Sequence, residues 1–203
     1  TPIASIYSSV VSLRGLKLTL FIAELNQLET WCTNVGNAYL EAYTAKKVYI
    51  IAGPEFGDRA GHTLIISKAL YGLKSSGKRW WERFSDILSD MGFYPSSAED
   101  DIWMRDMDDH YKNIARYVDD MAIVSRQPKS IIDQFMTEYK LKLKESGPIS
   151  YHLGCDFHRD EYDTLCMSPK RYIERMIENY VRMFGTKPKC LYTSPLEKND
   201  HPE

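Results

Sequence analysis

The sequence predicts an α+β fold, an antiparallel sheet covered by helices on one face. Three observations carry this. Helical and strand patterns come in the order helix, strands, helix, strands, helix, with hairpins between them rather than the regular alternation of a parallel sheet. Two short apolar runs, Ile114 to Val118 and Met121 to Val124, flank Asp119 and Asp120 and read as a β-hairpin with adjacent carboxylates at its tip. Gly77 to Gly92 sets Trp80, Trp81, Phe84, Ile87, Leu88 and Met91 at helical spacing, an apolar face for such a sheet.

The elements follow in order. Ser8 to Asn26 carries Val10, Val11, Leu13, Leu16, Leu18, Leu20, Phe21 and Leu25, which fits a largely buried helix capped by Ser8 or Ser9. Thr30 to Val35 is a strand, Val48 to Ala52 a second one ending at Gly53-Pro54, and Thr63 to Ser67 a third. Gly92 closes the next helix in a left-handed cap, and the tryptophans of that helix read as core rather than as a base-stacking platform. Ile102 to Asp106 and Tyr111 to Tyr117 continue the sheet. Lys129 to Lys144 repeats the helical pattern through Ile131, Ile132, Phe135, Tyr139 and Leu143, until Gly147-Pro148 breaks it. A hairpin from Tyr151 to Met167 and a helix from Pro169 to Phe184 complete the reading, with no repeat, linker or low-complexity segment.

A chain of 203 residues with 43% hydrophobic and 12% aromatic content can bury a sizeable core as one large domain, or one with a small appendage. Its apolar stretches are too short for a transmembrane helix, and its start lacks a signal peptide, so an intracellular, non-secreted protein with no membrane partner is expected. Cys32, Cys155, Cys166 and Cys190 are widely spaced, which favours free thiols over a disulfide frame. His152, Cys155 and His158 have a zinc-like look, but three-residue steps along a strand point to alternate faces, which weighs against a metal there.

The net charge of -2 gives no overall basic footprint for nucleic acid. Two local clusters do: Lys74, Lys78, Arg79 and Arg83, and Lys170, Arg171, Arg175, Arg182, Lys187 and Lys189 set against Glu174 and Glu178. Each reads either as a solvated helix face or as a track for a duplex backbone.

The Asp119-Asp120 pair calls for a chemical explanation. A tight hairpin turn prefers glycine, which is absent here, and like charges a few ångströms apart repel by about 1 kcal/mol in water and more where solvent is thinned. Mg²⁺ takes hard oxygen ligands, commonly one or two carboxylates with phosphate oxygens and water. Two such ions roughly 3.5 to 4 Å apart can activate a hydroxyl and stabilise a leaving pyrophosphate. The bland alternative is a solvated acidic turn.

What accompanies the pair decides between these. Tyr117-Val118-Asp119-Asp120 between two apolar strands resembles the catalytic hairpin of reverse transcriptases. NVGNAYLEA at Asn34 to Ala42 is similar to their first catalytic motif, and KALYGLKSSGKRWWERF at Lys68 to Phe84 to the Lys-x-Leu-Tyr-Gly-Leu-Lys-Gln-x-Pro segment of copia-type retrotransposons. AGPEFG at Ala52 to Gly57 and YHLGCDF at Tyr151 to Phe157 continue the resemblance, which runs from Tyr7 to Leu196. It implies a polymerase palm with partial fingers and a primer-grip hairpin over residues 1–168, and the start of a thumb with a tail over residues 169–203. The family has a basic fingers strand just upstream of a segment like Thr1 to Ser9, and this chain starts with Thr, so a fragment of a Pol polyprotein is expected.

The same resemblance implies roles. Asp119 and the residue at Asn34 would bridge two Mg²⁺ or Mn²⁺ ions, with Asp120 adding charge and the Val35 carbonyl holding the nucleotide-side ion. Gly36, Asn37 and Ala38 would form the turn beneath the triphosphate, and Tyr39 would exclude a 2′-hydroxyl. Leu70, Tyr71, Gly72, Ser75 and Tyr117 are expected near the template and its pair, Leu153 and Gly154 near the primer end, and Lys170, Arg171 and Arg175 along the duplex. The expected partners are an RNA or DNA template with its primer, deoxynucleoside triphosphates, and the integrase and RNase H of the same polyprotein. The expected places are the cytoplasm, a virus-like particle or the nucleus.

Two departures from the family pattern stand out. The first catalytic motif usually opens on Asp, where this chain has Asn34; a neutral amide cannot bridge two ions well. A loss of several kcal/mol in the transition state corresponds to roughly a thousandfold in rate, so impaired or absent synthesis is expected. Ser75 and Gly77 replace the usual Gln and Pro. The rival expectations are a non-catalytic nucleic-acid-binding remnant and a structural remnant that binds nothing.

Overall fold

The structure, a computed structural model, describes residues 8–188. Tyr7, Lys189, Cys190, Leu196 and most of the expected tail therefore lie outside the described residues. The described residues form two compact units, which divide after His152.

The first unit is built on a six-stranded antiparallel sheet in the order β4-β5-β6-β7-β1-β8. Its strands are β1 (Glu29–Val35), β4 (Tyr94–Pro95), β5 (Ile102–Asp106), β6 (Tyr111–Tyr117), β7 (Asp120–Ser125) and β8 (Leu143–Pro148). Strands β2 (Tyr43–Ile51) and β3 (Thr63–Lys68) form a separate two-stranded ribbon, with β2 starting earlier than the Val48 expected from the sequence. A short strand β9 (Tyr151–His152) ends this unit.

Helices α1 (Leu13–Leu25), α2 (Ser76–Asp90) and α3 (Pro128–Thr137) pack against the sheet, and on both of its faces. Met121 and Ile123 of β7 join Val35, Ile114, Trp80, Phe84, Ile131 and Phe135 in one core under α2 and α3. The alternate residues Ala122 and Val124 are equally buried, and Val124 clusters with Ala23 of α1. This corrects the one-face expectation. Its signal was present: Met121-Ala122-Ile123-Val124 is continuously apolar, as a strand buried on both faces requires.

α1 begins later than expected and is capped by Ser12, whose Oγ accepts from the Gly15 amide at 3.0 Å, and not by Ser8 or Ser9. Nor is it largely buried: Leu16, Leu20 and Ala23 face the sheet while Leu13, Leu18, Phe21 and Leu25 are exposed. The expected helix Lys129 to Lys144 is also corrected. α3 stops at Thr137, the chain turns through Lys140 at φ 57°, and Leu143–Pro148 runs as β8 beside β1. Gly147 and Pro148 lie within that strand, which is possible because β8 is an edge where a missing N–H costs no ladder bond.

In the second unit, β10 (Cys155–Arg159) and β11 (Leu165–Ser168) pair antiparallel, followed by α4 (Lys170–Phe184), which Gly185 ends at φ 74°. Asp156 accepts from the Arg171 amide at 2.9 Å and pairs with its guanidinium at 2.6 Å, tying α4 to β10. Cys32, Cys155 and Cys166 are free thiols. Among the described residues no helix is long and apolar enough to cross a membrane.

Candidate active site

The β6–β7 hairpin closes with Tyr117 opposite Asp120, so Val118 and Asp119 form a two-residue turn and Asp120 opens the strand. Val118 sits at φ 56°, the left-handed region that a β-branched residue strongly disfavours and glycine usually fills. Two hydrogen bonds hold the strained turn, and a buried ion pair anchors the strand before it. The buried Trp80 donates its Nε1–H to the Val118 carbonyl at 2.7 Å. The Val35 amide donates to the Asp119 carbonyl at 2.8 Å. Arg116, one residue before the turn's flank, is fully buried and pairs with the equally buried Asp101, whose Oδ1 accepts from both Nε and Nη2 of the guanidinium. Nη1 of Arg116 also donates to the Trp81 carbonyl and to Ser85 Oγ. Burial lowers the Arg116 pKa, and Asp101 opposes that shift.

Asn34 stands at the end of β1 with Asp120 opposite on one side and Lys144 of β8 opposite on the other. Its Nδ2 donates to Asp120 Oδ1 at 3.2 Å. Burial pushes the Asp120 carboxyl above its ordinary pKa, the Asn34 hydrogen bond pulls it back, and the charges of Asp119 and Glu145 push it up further. The next residues turn beneath this group. The Gly36 amide donates to the Lys142 carbonyl at 2.7 Å, and the Lys144 stem lies over Gly36 so closely that a Cβ there would meet Cε at 2.8 Å. Asn37 takes the left-handed conformation and starts a 3₁₀ turn, Ala38–Glu41, that carries Tyr39. The Tyr39 ring meets Tyr71 with centroids 4.5 Å apart.

The structure thus brings together Asn34, Val35, Gly36, Asn37, Ala38, Tyr39, Tyr71, Asp119 and Asp120, with Tyr117 beside Asp120. Leu70 and Gly72 flank Tyr71 in a turn whose Leu70 carbonyl accepts from Ser76 Oγ at 2.6 Å, and Ser75 precedes α2 without a side-chain cap bond. Leu153, Gly154, Lys170, Arg171 and Arg175 belong to the second unit. Sequence reasoning missed Trp80 as a brace of the turn, and it missed Arg116 and Lys144. A lone arginine inside an apolar strand was the signal for Arg116, and the two-residue alternation Leu141-Lys142-Leu143-Lys144 was the signal for the last.

Asp119, Asp120 and the amide oxygen of Asn34 are hard donors that fit a divalent cation such as Mg²⁺. They supply two carboxylates and no third, and among the described residues no group of three acidic, histidine or cysteine side chains is placed to hold a metal. The set therefore suits one ion better than two.

The antiparallel sheet presents adjacent carboxylates on a hairpin tip, beside a turn that carries a tyrosine pair. A family model described as reverse transcriptase (RNA-dependent DNA polymerase) matches residues 3–195, and the chain belongs to that family. It is similar to the Retrovirus-related Pol polyprotein from transposon TNT 1-94 of Nicotiana tabacum, 26% identical over 190 residues, covering 90% of this chain and 14% of that protein. It is similar to the Retrovirus-related Pol polyprotein from transposon RE1 of Arabidopsis thaliana, 25% identical over 200 residues, covering 96% of this chain and 13% of that one. The Transposon Ty1-MR1 Gag-Pol polyprotein of Saccharomyces cerevisiae is 27% identical over 180 residues, 85% of this chain and 10% of its own length. The chain is a copia-type reverse transcriptase domain, and it spans about a seventh or less of the length of these curated relatives.

Proposed function

We propose that this domain descends from an enzyme of templated DNA synthesis by two-metal nucleotidyl transfer, and that this copy is impaired because Asn34 stands at the first catalytic carboxylate. The single observation carrying the proposal is the Asn34–Asp120 hydrogen bond, which puts a neutral donor where a second ion needs negative charge. In this reading the six-stranded sheet is the palm, the β2–β3 ribbon the partial fingers, the β10–β11 hairpin the primer grip, and α4 the start of the thumb. Asp119 and Asp120 would hold Mg²⁺ or Mn²⁺, with Asn34 and the Val35 carbonyl as the weaker ligands. When bound, such ions supply activation of the primer hydroxyl and charge neutralisation at the pyrophosphate. The chain's own residues orient: Gly36, Asn37 and Ala38 cradle the triphosphate, and Tyr39 excludes a 2′-hydroxyl. Lys170, Arg171 and Arg175 lie along a primer–template duplex. The remaining Pol domains and a cytoplasmic, particle-borne or nuclear place of action are part of the same proposal.

Primer extension by the chain and by Asn34→Asp tests it. Synthesis confined to the substituted form is expected, and equal synthesis in both refutes the role given to Asn34. One observation favours a second reading, a non-catalytic nucleic-acid-binding remnant: α4 leaves Lys170 and Arg175 exposed. Salt-dependent duplex binding, with no incorporation by either form, supports that reading.

A further inference from the structure

We propose that Tyr71 is a positioning residue for sugar selection: its ring braces Tyr39, and the two rings together form the wall that a nucleotide sugar must clear. This rests on the nucleotide-binding reading of the site.

The backbone around Tyr71 is pinned while its side chain stands largely in solvent. The Ala69 amide donates to the Ala42 carbonyl at 2.9 Å with Ala69 fully buried. The Leu70 carbonyl accepts from the Leu73 amide at 3.2 Å and from Ser76 Oγ at 2.6 Å. Gly72 takes φ 93°, a conformation that turns the chain sharply behind Tyr71 and that other residues rarely adopt. The ring at the tip of this clamped turn is 66% exposed, and it lies against Tyr39 at 4.5 Å between centroids and 35° between planes.

Tyr39 arrives from a different part of the chain, four residues after the Val35 amide that bonds the Asp119 carbonyl. Its hydroxyl sits over Gly77, where a Cβ would lie 3.8 Å away. The ring is thus supported on its face by Tyr71. A steric selector discriminates only as far as it resists displacement, and an aromatic neighbour at this distance supplies resistance beyond simple burial. Burial raises the Tyr71 pKa, with Asp119 and then Tyr39 adding to the rise.

The test uses the full chain on a dideoxy-terminated primer–template with a templating thymine, so that nucleotide binding is read without chemistry. dATP and ATP are the probes, in Mg²⁺. Tyr71→Ala is expected to shrink the dATP-over-ATP affinity ratio by about fivefold, through tighter ATP binding, a size consistent with the worth of one aromatic pair. Tyr71→Leu should do the same, Tyr71→Phe should retain the parent ratio, and Tyr39→Ala should lose more. A Tyr71→Ala ratio equal to the parent's, while Tyr39→Ala changes it, overturns the bracing role alone, as does an equal weakening for both nucleotides. Binding of dATP by none of the forms overturns the nucleotide-site reading, and this inference with it.

Discussion

Asn34 donates its side-chain N–H to Asp120 Oδ1 at 3.2 Å across the β1–β7 pair, so a neutral amide settles a spot where a carboxylate would create repulsion. Burial and the charges of Asp119 and Glu145 already raise the Asp120 pKa, and the Asn34 bond opposes them. A group whose folded pKa exceeds its unfolded value loses stability as pH rises through that interval. Asn34→Asp removes the opposing bond and adds a like charge, so the loss deepens. In EDTA at neutral pH the substituted chain should melt lower, by about 1 to 2 kcal/mol for charges a few ångströms apart in a half-buried place. Mg²⁺ or Mn²⁺ should then raise its melting temperature more than the parent's, because the ion binds only the folded site. Equal divalent shifts in the two forms would falsify the charge account.

The buried pair Arg116–Asp101 should behave as a unit. Each side chain is 1% exposed, and removing one leaves an uncompensated charge in the core. Arg116→Met and Asp101→Leu are each expected to cost about 3 to 5 kcal/mol in urea unfolding, and the double substitution less than the sum. Additive losses in the cycle would show that the two do not depend on one another.

Trp80 holds a conformation as well as a core. Its Nε1–H bonds the carbonyl of Val118, which stands at φ 56°. Trp80→Phe keeps an aromatic ring and removes that bond, at an expected cost of about 2 kcal/mol from the orphaned carbonyl and the lost volume. Amide exchange at Asp119 and Asp120 should quicken beyond what the global loss explains, because the strained turn is freed. Exchange that merely follows global stability speaks against a special hold on the turn.

The legible parts of this molecule were those where one local pattern serves one environment. The α2 helix announced itself because Trp80, Phe84, Ile87 and Leu88 fall on one face and are all buried. The β6–β7 hairpin did so because polar residues interrupt two strands. β8 was hidden because Tyr139 and Leu143 continue the helical spacing of α3, although Leu141 and Leu143 alternate with lysines at strand spacing. In the site, the carboxylates and Tyr39 were legible as types in a pattern. The contacts of Arg116, Trp80 and Tyr71 were not, since a buried ion pair, an indole bond to a strained carbonyl and a ring contact all depend on partners far away in sequence.

His152 gives a pH signature independent of the active site. The residue is 4% exposed, its Nε2 has no hydrogen-bond partner among the described residues, and burial lowers its pKa from 6.5 to about 4. Between these values the unfolded chain binds a proton that the folded chain refuses, so stability rises with pH across that window and is lost as pH falls. The full difference amounts to about 3 kcal/mol at 1.36 kcal/mol per pH unit. Urea unfolding at pH 4.5 and pH 7 should differ by most of that amount beyond the contribution of the carboxylates, and His152→Gln should flatten the difference. NMR titration of the ring supplies the direct check: a midpoint near 6.5 in the folded chain refutes the buried neutral histidine, and one near 4 accounts for the slope.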